Sequence, residues 1–455
     1  MSGFMRSLCK IAIPVTLQSM LQASFSIVDQ IMIGQLGETS ISAVGLCGNY
    51  SLMFSVVIGA VSTVAGILIA QFLGAEDTKE AWSSFYVSLI CGVAISAVFL
   101  LLSGLFPARI LGFYTKDRGI LQTGSVYFKI VAFSYIPMAI SAVISAWLRC
   151  KEHAAIPLLA SLGAVAANTG LNYVLIFGKL GFSPMGIRGA AIATLFSQLI
   201  NLVCIFIGFA VCVRKDGDKP IFSLRFRKLT TKDYLAMILP ILISEFLWSF
   251  GQNVESAVYG HLGTASLAAY TLTCPIQGLL TGALSGLSAA AGVMVGKRLG
   301  KEAYGEAYKE SKKIMCAGLL GAISVSAILI CLAGAYTGFY RVDDGVKALG
   351  KILLVVFALY APVKVENMIL GGGILRSGGN TKLVMLIDTV GTWCIGIPLC
   401  LLAAYVFKWG IVGVYTLLTA EELFRLVVSL LVFRKRKWMI SLSQGALRGD
   451  GTHSG

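Results

Sequence analysis

An all-α, polytopic membrane protein follows from the sequence, with twelve transmembrane helices in two pseudo-symmetric six-helix lobes. Three observations predict it. Of the 455 residues, 57% are hydrophobic and 13% charged, about half the charged share of a soluble globular chain, and mean hydropathy is +0.83. Apolar runs of the length needed to cross a bilayer core, about 20 residues in a helix, recur along the whole chain. The chain also aligns with itself at a fixed offset.

The runs fall near 11–35, 46–72, 84–108, 125–148, 155–178, 188–213, 235–260, 266–296, 314–336, 350–375, 383–407 and 411–433. In lipid every backbone donor and acceptor needs a partner within the protein, and these runs are too long for barrel strands, so each reads as a helix. The stretch MSGFMRSLCK leads into a first run too long for a signal-peptide core, with no small-residue cleavage pattern; the first span is expected to stay and act as the insertion signal. Lys and Arg number 37 against 22 Asp and Glu. With the N-terminus inside, one side collects Arg6, Lys10, Lys79, Arg149, Lys151, the basic stretches 214–232 and 297–313, Arg376, Lys382 and RKRK at 434–437. This positive-inside bias predicts a cell-membrane protein with both termini cytoplasmic, and it reads RKRK as a lipid-headgroup anchor rather than a nucleic-acid patch. The 11 cysteines are scattered singly and the chain has only 3 histidines, a pattern of small core residues rather than of disulfides or a metal site.

At a shift of 226, residues 11–81 lie over 237–307 without a gap. Pro14 falls on Pro240, Gly34 on Gly260, LGETS (36–40) on LGTAS (262–266), and LGAEDTKEA (73–81) on LGKEAYGEA (299–307). Asp29 falls on Glu255. At 227, WLRCKEHAAI (147–156) meets ILRSGGNTKL (374–383). The predicted organisation is an N-lobe at 1–213, a cytoplasmic linker at 214–234, a C-lobe at 235–437 and a polar tail at 438–455. An even number of spans per half leaves both halves in the same orientation, a parallel-repeat plan found in secondary transporters.

On a helix Gln18, Gln22, Ser26 and Asp29 share one face. A carboxylate at bilayer depth costs at least ~2.5–3.5 kcal/mol, so it needs a partner, a proton or water. Asp29 is therefore either a group whose occupancy switches with conformation or a structural hydrogen-bond acceptor. Asn168 and Asn172 lie one turn apart and either line the same cavity or tie helices together. Ser244, Trp248, Gln252, Glu255 and Tyr259 share a second face, whose aromatic and acidic character suits a lipophilic cation. Glu245 sits one face away. Lys364 and Glu366, two apart, do not meet on a helix. Glu421, Glu422 and Arg425 are spaced for a local salt bridge, and Asp388, six residues from a loop, is expected to be wet.

The ordered set of features resembles the multidrug and toxic compound extrusion (MATE) family of bacterial type. The resembling residues are the Pro near the start of the first and seventh spans, GxLG closing each, the LR loops after the fourth and tenth, NTGLNYVLIFG at 168–178 and GIRGAAIAT at 186–194. The resemblance covers 6–437. It implies a multidrug antiporter that exports amphipathic, often cationic compounds against H+ or Na+ by alternating access. It further implies ion or proton coupling at Asp29, Asn168, Asn172 and Thr194, with Na+ or a proton at Asp29. Where the family commonly has an Asp this chain has Asn172, leaving one carboxylate in place of two. Cargo contact is expected at Glu255, Gln252, Trp248 and Tyr259, with Gln22 from the first lobe.

No nucleotide-binding loop, catalytic triad or metal-ligand cluster is legible, so neither an enzyme nor a resident cofactor is expected. The expected partners are lipophilic cations and membrane lipids, with no nucleic acid, and the chain is expected to be a monomer. The alternative is a flippase of lipid-linked precursors on a related fold, which calls for a basic cavity. The spans hold more acid (Asp29, Glu245, Glu255, Glu366, Asp388, Glu421, Glu422) than base (Lys364, Arg425), which favours cationic cargo.

Overall fold

The computed structural model describes residues 3–223, 231–338 and 342–442, without the side chains at 23, 25–28, 30, 38 and 231. Ser26, one member of the expected polar stripe, therefore lies outside the described side chains, as do part of the expected linker and most of the expected tail. All regular structure among the described residues is helical. In chain order the main helices are α1 (Gly3–Gly34), α2 (Glu38–Gly74), α3 (Thr78–Leu105), α4 (Arg118–Cys150), α5 (Ala155–Phe177) and α6 (Ile187–Lys215). They continue as α7 (Thr231–His261), α8 (Thr264–Gly300), α9 (Tyr304–Gly338), α10 (Asp344–Leu375), α11 (Thr381–Val406) and α12 (Ile411–Lys435). A short helix, Pro107–Gly112, links α3 to α4.

Among the described residues ten helices, α2 to α11, are long and apolar enough to cross a membrane. The sequence led us to expect twelve spans. The last, α12, falls outside the ten because Glu421, Glu422 and Arg425 crowd one stretch of it. The first, α1, has several side chains outside the described set. Large apolar side chains such as Phe206 and Leu320 are 57% and 61% exposed, which water would disfavour and lipid would not.

Several helices depart from regular winding. α4 has a 3-10 turn at Ala132–Ser134. α10 contains a π-helical stretch at Met368–Leu375, and α11 contains two, at Val390–Gly396 and Leu402–Val406. Such wide turns insert a residue without ending the helix and occur often at functional sites. The tight connections echo the sequence repeat. Glu76 and Glu302, 226 apart, both take left-handed backbone, with φ of 60° and 59°, and Gly37 and Gly263 have φ of 96° and 117°.

The chain packs into two compact units, Met1–Ile69 with Thr78–Arg227, and Ala70–Asp77 with Lys228–Gly455. The first has an aromatic core in which Phe54 meets Tyr135 at 4.4 Å between ring centroids and Trp82 meets Trp147 at 4.0 Å. The end of α2 belongs to the second unit because two glycines let backbones touch. A Cβ on Gly74 would overlap the Lys297 carbonyl, and one on Gly300 would overlap that of Gln71. The amide of Gln71 fastens the same place, donating to the Ser377 carbonyl at 2.6 Å and accepting from the Leu442 N–H at 2.7 Å.

Candidate functional site

In the first unit the expected coupling residues meet. α5 carries Asn168 and Asn172 one turn apart, both buried, and packs against α1, which carries Asp29. The Asn172 amide nitrogen donates to Asp29 Oδ1 and to Asn168 Oδ1, both at 2.7 Å. The Asn168 amide in turn donates to Ser197 Oγ on α6 at 3.2 Å. Asn172 keeps a buried carbonyl oxygen with no hydrogen-bond partner among the described residues. Thr194 turns its hydroxyl onto its own helix, donating to the Ala190 carbonyl at 3.0 Å, and meets the Tyr127 hydroxyl from α4. The oxygens of Asp29, Asn168 and Asn172 are hard donors of the kind a small monovalent cation takes.

Ser197 and Tyr127 belong to this network and were not singled out in the sequence. A serine in an apolar helix carries no local signal, and neither does a tyrosine. Only the packing of α4, α5 and α6 brings them beside Asn168 and Thr194. Gln22 stands on the wall of a cavity of about 490 Å³ in the same unit, together with Gln18, whose amide donates to Ser161 Oγ at 2.9 Å.

The second unit holds two cavities of about 330 and 40 Å³ that share Trp248, Lys364 and Glu422 in their walls. Glu255 lines the smaller one, is 7% exposed, and accepts from the Gln252 amide at 3.2 Å. Trp248 and Gln252 line it as well. Tyr259 is placed differently. It is fully buried against Tyr270, at 4.7 Å between ring centroids, and so stands behind the wall.

The larger cavity collects charges the sequence left scattered. Arg376 lies 3.3 Å from Glu245 and 3.7 Å from Asp388, and Ser244 donates to Asp388 at 2.9 Å. Asp388, expected to be wet, keeps 26% of its side chain exposed on the cavity wall and is also held by a guanidinium and a hydroxyl. Arg425 pairs with Glu421 at 2.5 Å, as the spacing predicted, and Thr392 donates to the same carboxylate oxygen at 3.1 Å. The Asn367 amide donates to Glu422 at 2.8 Å. Among the described residues Lys364 makes no ion pair. Arg149 and Arg376, counted with the basic residues of the expected cytoplasmic side, both lie at the ends of apolar helices and line cavities.

The sequence profile of the MatE family matches residues 14–174 and 240–402. The chain is 25% identical over 442 residues to the probable multidrug resistance protein NorM of Thermotoga maritima, covering 95% of this chain and 93% of that one. It is 22% identical to the uncharacterized transporter YisQ of Bacillus subtilis, over 95% of each chain. The fold is similar to that of a MATE protein crystallised in a bent conformation, with a TM-score of 0.85, 18% identity and 97% of both chains covered. It is equally similar to the outward-facing form of a multidrug resistance MATE transporter of the MOP superfamily, with a TM-score of 0.85, 18% identity and 98% and 96% covered. A family match across both halves, on an all-α fold with ten helices among the described residues long and apolar enough to cross a membrane, settles the class: the chain belongs to the MATE family, as a multi-pass membrane protein for secondary transport of small molecules and not an enzyme.

Proposed function

We propose that the chain exports amphipathic, cationic organic compounds in exchange for H+ or Na+. In this reading twelve spans form two lobes that open alternately, in the cell membrane, with both termini cytoplasmic and the chain acting as a monomer. The observation that supports it is the Asp29–Asn172–Asn168 network, one ionisable group held by a neutral amide between two helices of the first unit. The ionised carboxylate accepts the Asn172 amide. A proton on Asp29 removes the need for that donor. A Na+ ion is accommodated by turning the Asn172 amide, which exchanges its donor for the unpartnered carbonyl oxygen. Either event changes what ties α1 to α5. Glu255, with Trp248 and Gln252 beside it, supplies the counter-charge and aromatic face for a lipophilic cation. The names of relatives such as the Thermotoga protein, a probable multidrug resistance protein, support the same cargo.

The test is efflux of a fluorescent lipophilic cation from vesicles holding the protein, with Na+ and pH gradients imposed separately. Transport that follows one gradient is expected; indifference to both refutes coupled antiport.

A second reading, a flippase of lipid-linked precursors, draws on Lys364, Arg376 and Arg425 in the wall of the larger second-unit cavity. Two of those three are already neutralised, by Glu245 with Asp388 and by Glu421, which leaves little free positive charge for a pyrophosphate. Movement of a fluorescent lipid between leaflets, without export of the cation, supports this reading over the first.

A further inference from the structure

Arg149 and Arg376 occupy repeat-related positions in similar scaffolds but opposite electrostatic surroundings. Ser62 donates to the Ala142 carbonyl at 3.0 Å, and Ser288, 226 positions on, donates to the Met368 carbonyl at 2.7 Å. The shift becomes 227 at the arginines because the π-helical stretch Met368–Leu375 holds one residue more than its counterpart in α4. At the same shifts, Ser244, Glu245 and Asp388 correspond to Gln18, Ser19 and Ser161. The hydrogen bond from Ser244 to Asp388 and that from Gln18 to Ser161 are both 2.9 Å. Both carboxylates that neutralise Arg376 are therefore serines around Arg149. Among the described residues Arg149 has a single hydrogen bond, to Ser62 Oγ at 3.3 Å, and no ion pair.

Arg149 faces the first-unit cavity of about 490 Å³, whose wall is made of hydroxyls, amides and apolar groups with no acidic side chain. Ser141 on that wall is 5% exposed, and its hydroxyl has no partner among the described residues. A guanidinium has five N–H donors, most of them unused among the described residues, and a cation set in protein without a counter-charge is costly.

We propose that this cavity is an anion site, in which Arg149 binds one singly negative group. The group is either the carboxylate of an amphiphilic cargo or a free small anion. A cargo carboxylate sits on the guanidinium with its apolar body against Val15 and Met138, half-buried side chains that line the same space. With cargo as the source, the site rests on the export reading above and deepens it, by assigning the residue that takes an amphiphile's carboxylate. With a free anion as the source, it stands independently of that reading.

The experiment uses the purified full-length chain in detergent micelles and fluorescence anisotropy of two dyes. Rhodamine B carries a delocalised cation and a free carboxylate; its ethyl ester carries the same cation with the carboxylate masked. Arg149→Gln is expected to weaken rhodamine B roughly thirtyfold or more, the low end of the loss on truncating one partner of a hydrogen-bonded charge pair, and to leave the ester within about twofold. Ser161→Asp is expected to do the same, because it installs beside Arg149 the carboxylate that Arg376 already has. This second variant keeps the arginine and decides the matter if the first does not fold. Competition of chloride, but not gluconate, with rhodamine B in the wild type and not in the variants assigns the site to a free anion; no competition assigns it to the cargo carboxylate. Equal loss of both dyes, or rhodamine B binding unchanged in both variants, overturns the anion site. If neither dye binds the wild type, the cationic-cargo reading fails and benzoate decides the site. A rise in the thermal unfolding midpoint with benzoate, absent in Ser161→Asp, upholds it, and no rise in the wild type overturns it.

Discussion

Replacing Arg425 with methionine is expected to destabilise the second unit strongly, and replacing Glu421 as well is expected to restore most of the loss. The two side chains are 2.5 Å apart and only 10% and 9% exposed, so removing one leaves a charge facing protein rather than water. Neither can move aside. A Cβ on Gly396 would overlap the Glu421 carboxylate, and one on Gly391 would press on the Arg425 guanidinium, so both sit in slots shaped by missing side chains. Breaking a buried pair costs about 3–5 kcal/mol, whereas replacing both partners by uncharged groups of similar size is often neutral. For a unit of this size each kcal/mol moves the unfolding midpoint by roughly 2–4 °C, so Arg425→Met lowers it by on the order of 10 °C. The assay is thermal unfolding in detergent micelles of the wild type, Arg425→Met, Glu421→Gln and the double variant. A coupling energy of about 3 kcal/mol is expected from the cycle. Costs that simply add, or single variants within about 1 kcal/mol of the wild type, would show that the pair is solvated in the membrane.

Three further outcomes follow from the geometry. Asp29→Asn retains the hydrogen bond with Asn172 but cannot hold an exchangeable charge; gradient-driven efflux is expected to fall ~5–150-fold, the span of ordinary coupling energies, while binding of the lipophilic cation is kept. Glu255→Gln removes the counter-charge beside Trp248 and is expected to weaken a permanent lipophilic cation by ~1–2 kcal/mol, or roughly 5–30-fold in Kd by titration. Gly300→Ala drives a methyl into the Gln71 carbonyl and is expected to cost about 1–3 kcal/mol in thermal unfolding; Gly305→Ala, which meets nothing within 4 Å, serves as the neutral comparison.

The helices, their order and the polar stripe on α1 were legible because apolar run length and helical spacing are local properties. Asn168 and Asn172 were legible as a pair one turn apart, but that their amides reach Ser197 on α6 and Asp29 on α1 depends on how α5 packs against those helices. Tyr259 shares a helical face with Glu255 in sequence. Its ring is long enough to pack against Tyr270 and leave the cavity wall to Trp248 and Gln252. Asp388 and Glu245 looked unrelated across more than a hundred residues of chain; Arg376 joins them because α10 carries it inward past a π-helical stretch. No periodicity argument finds an inserted residue inside a continuing helix, although the change of repeat shift from 226 to 227 is its trace.

By itself the sequence determined the solvent, the helical class and the internal repeat, since each depends on composition and spacing along one dimension. It also determined that Asp29 and Glu255 occupy repeat-related positions. Only the tertiary structure decided which charges are neutralised. Arg376 meets two carboxylates and Arg149 meets, among the described residues, one serine hydroxyl, although both arginines follow the same Leu in the same repeat. Electrostatic energy depends on distances of a few ångströms between groups far apart in the chain, and those distances exist only once the helices have packed.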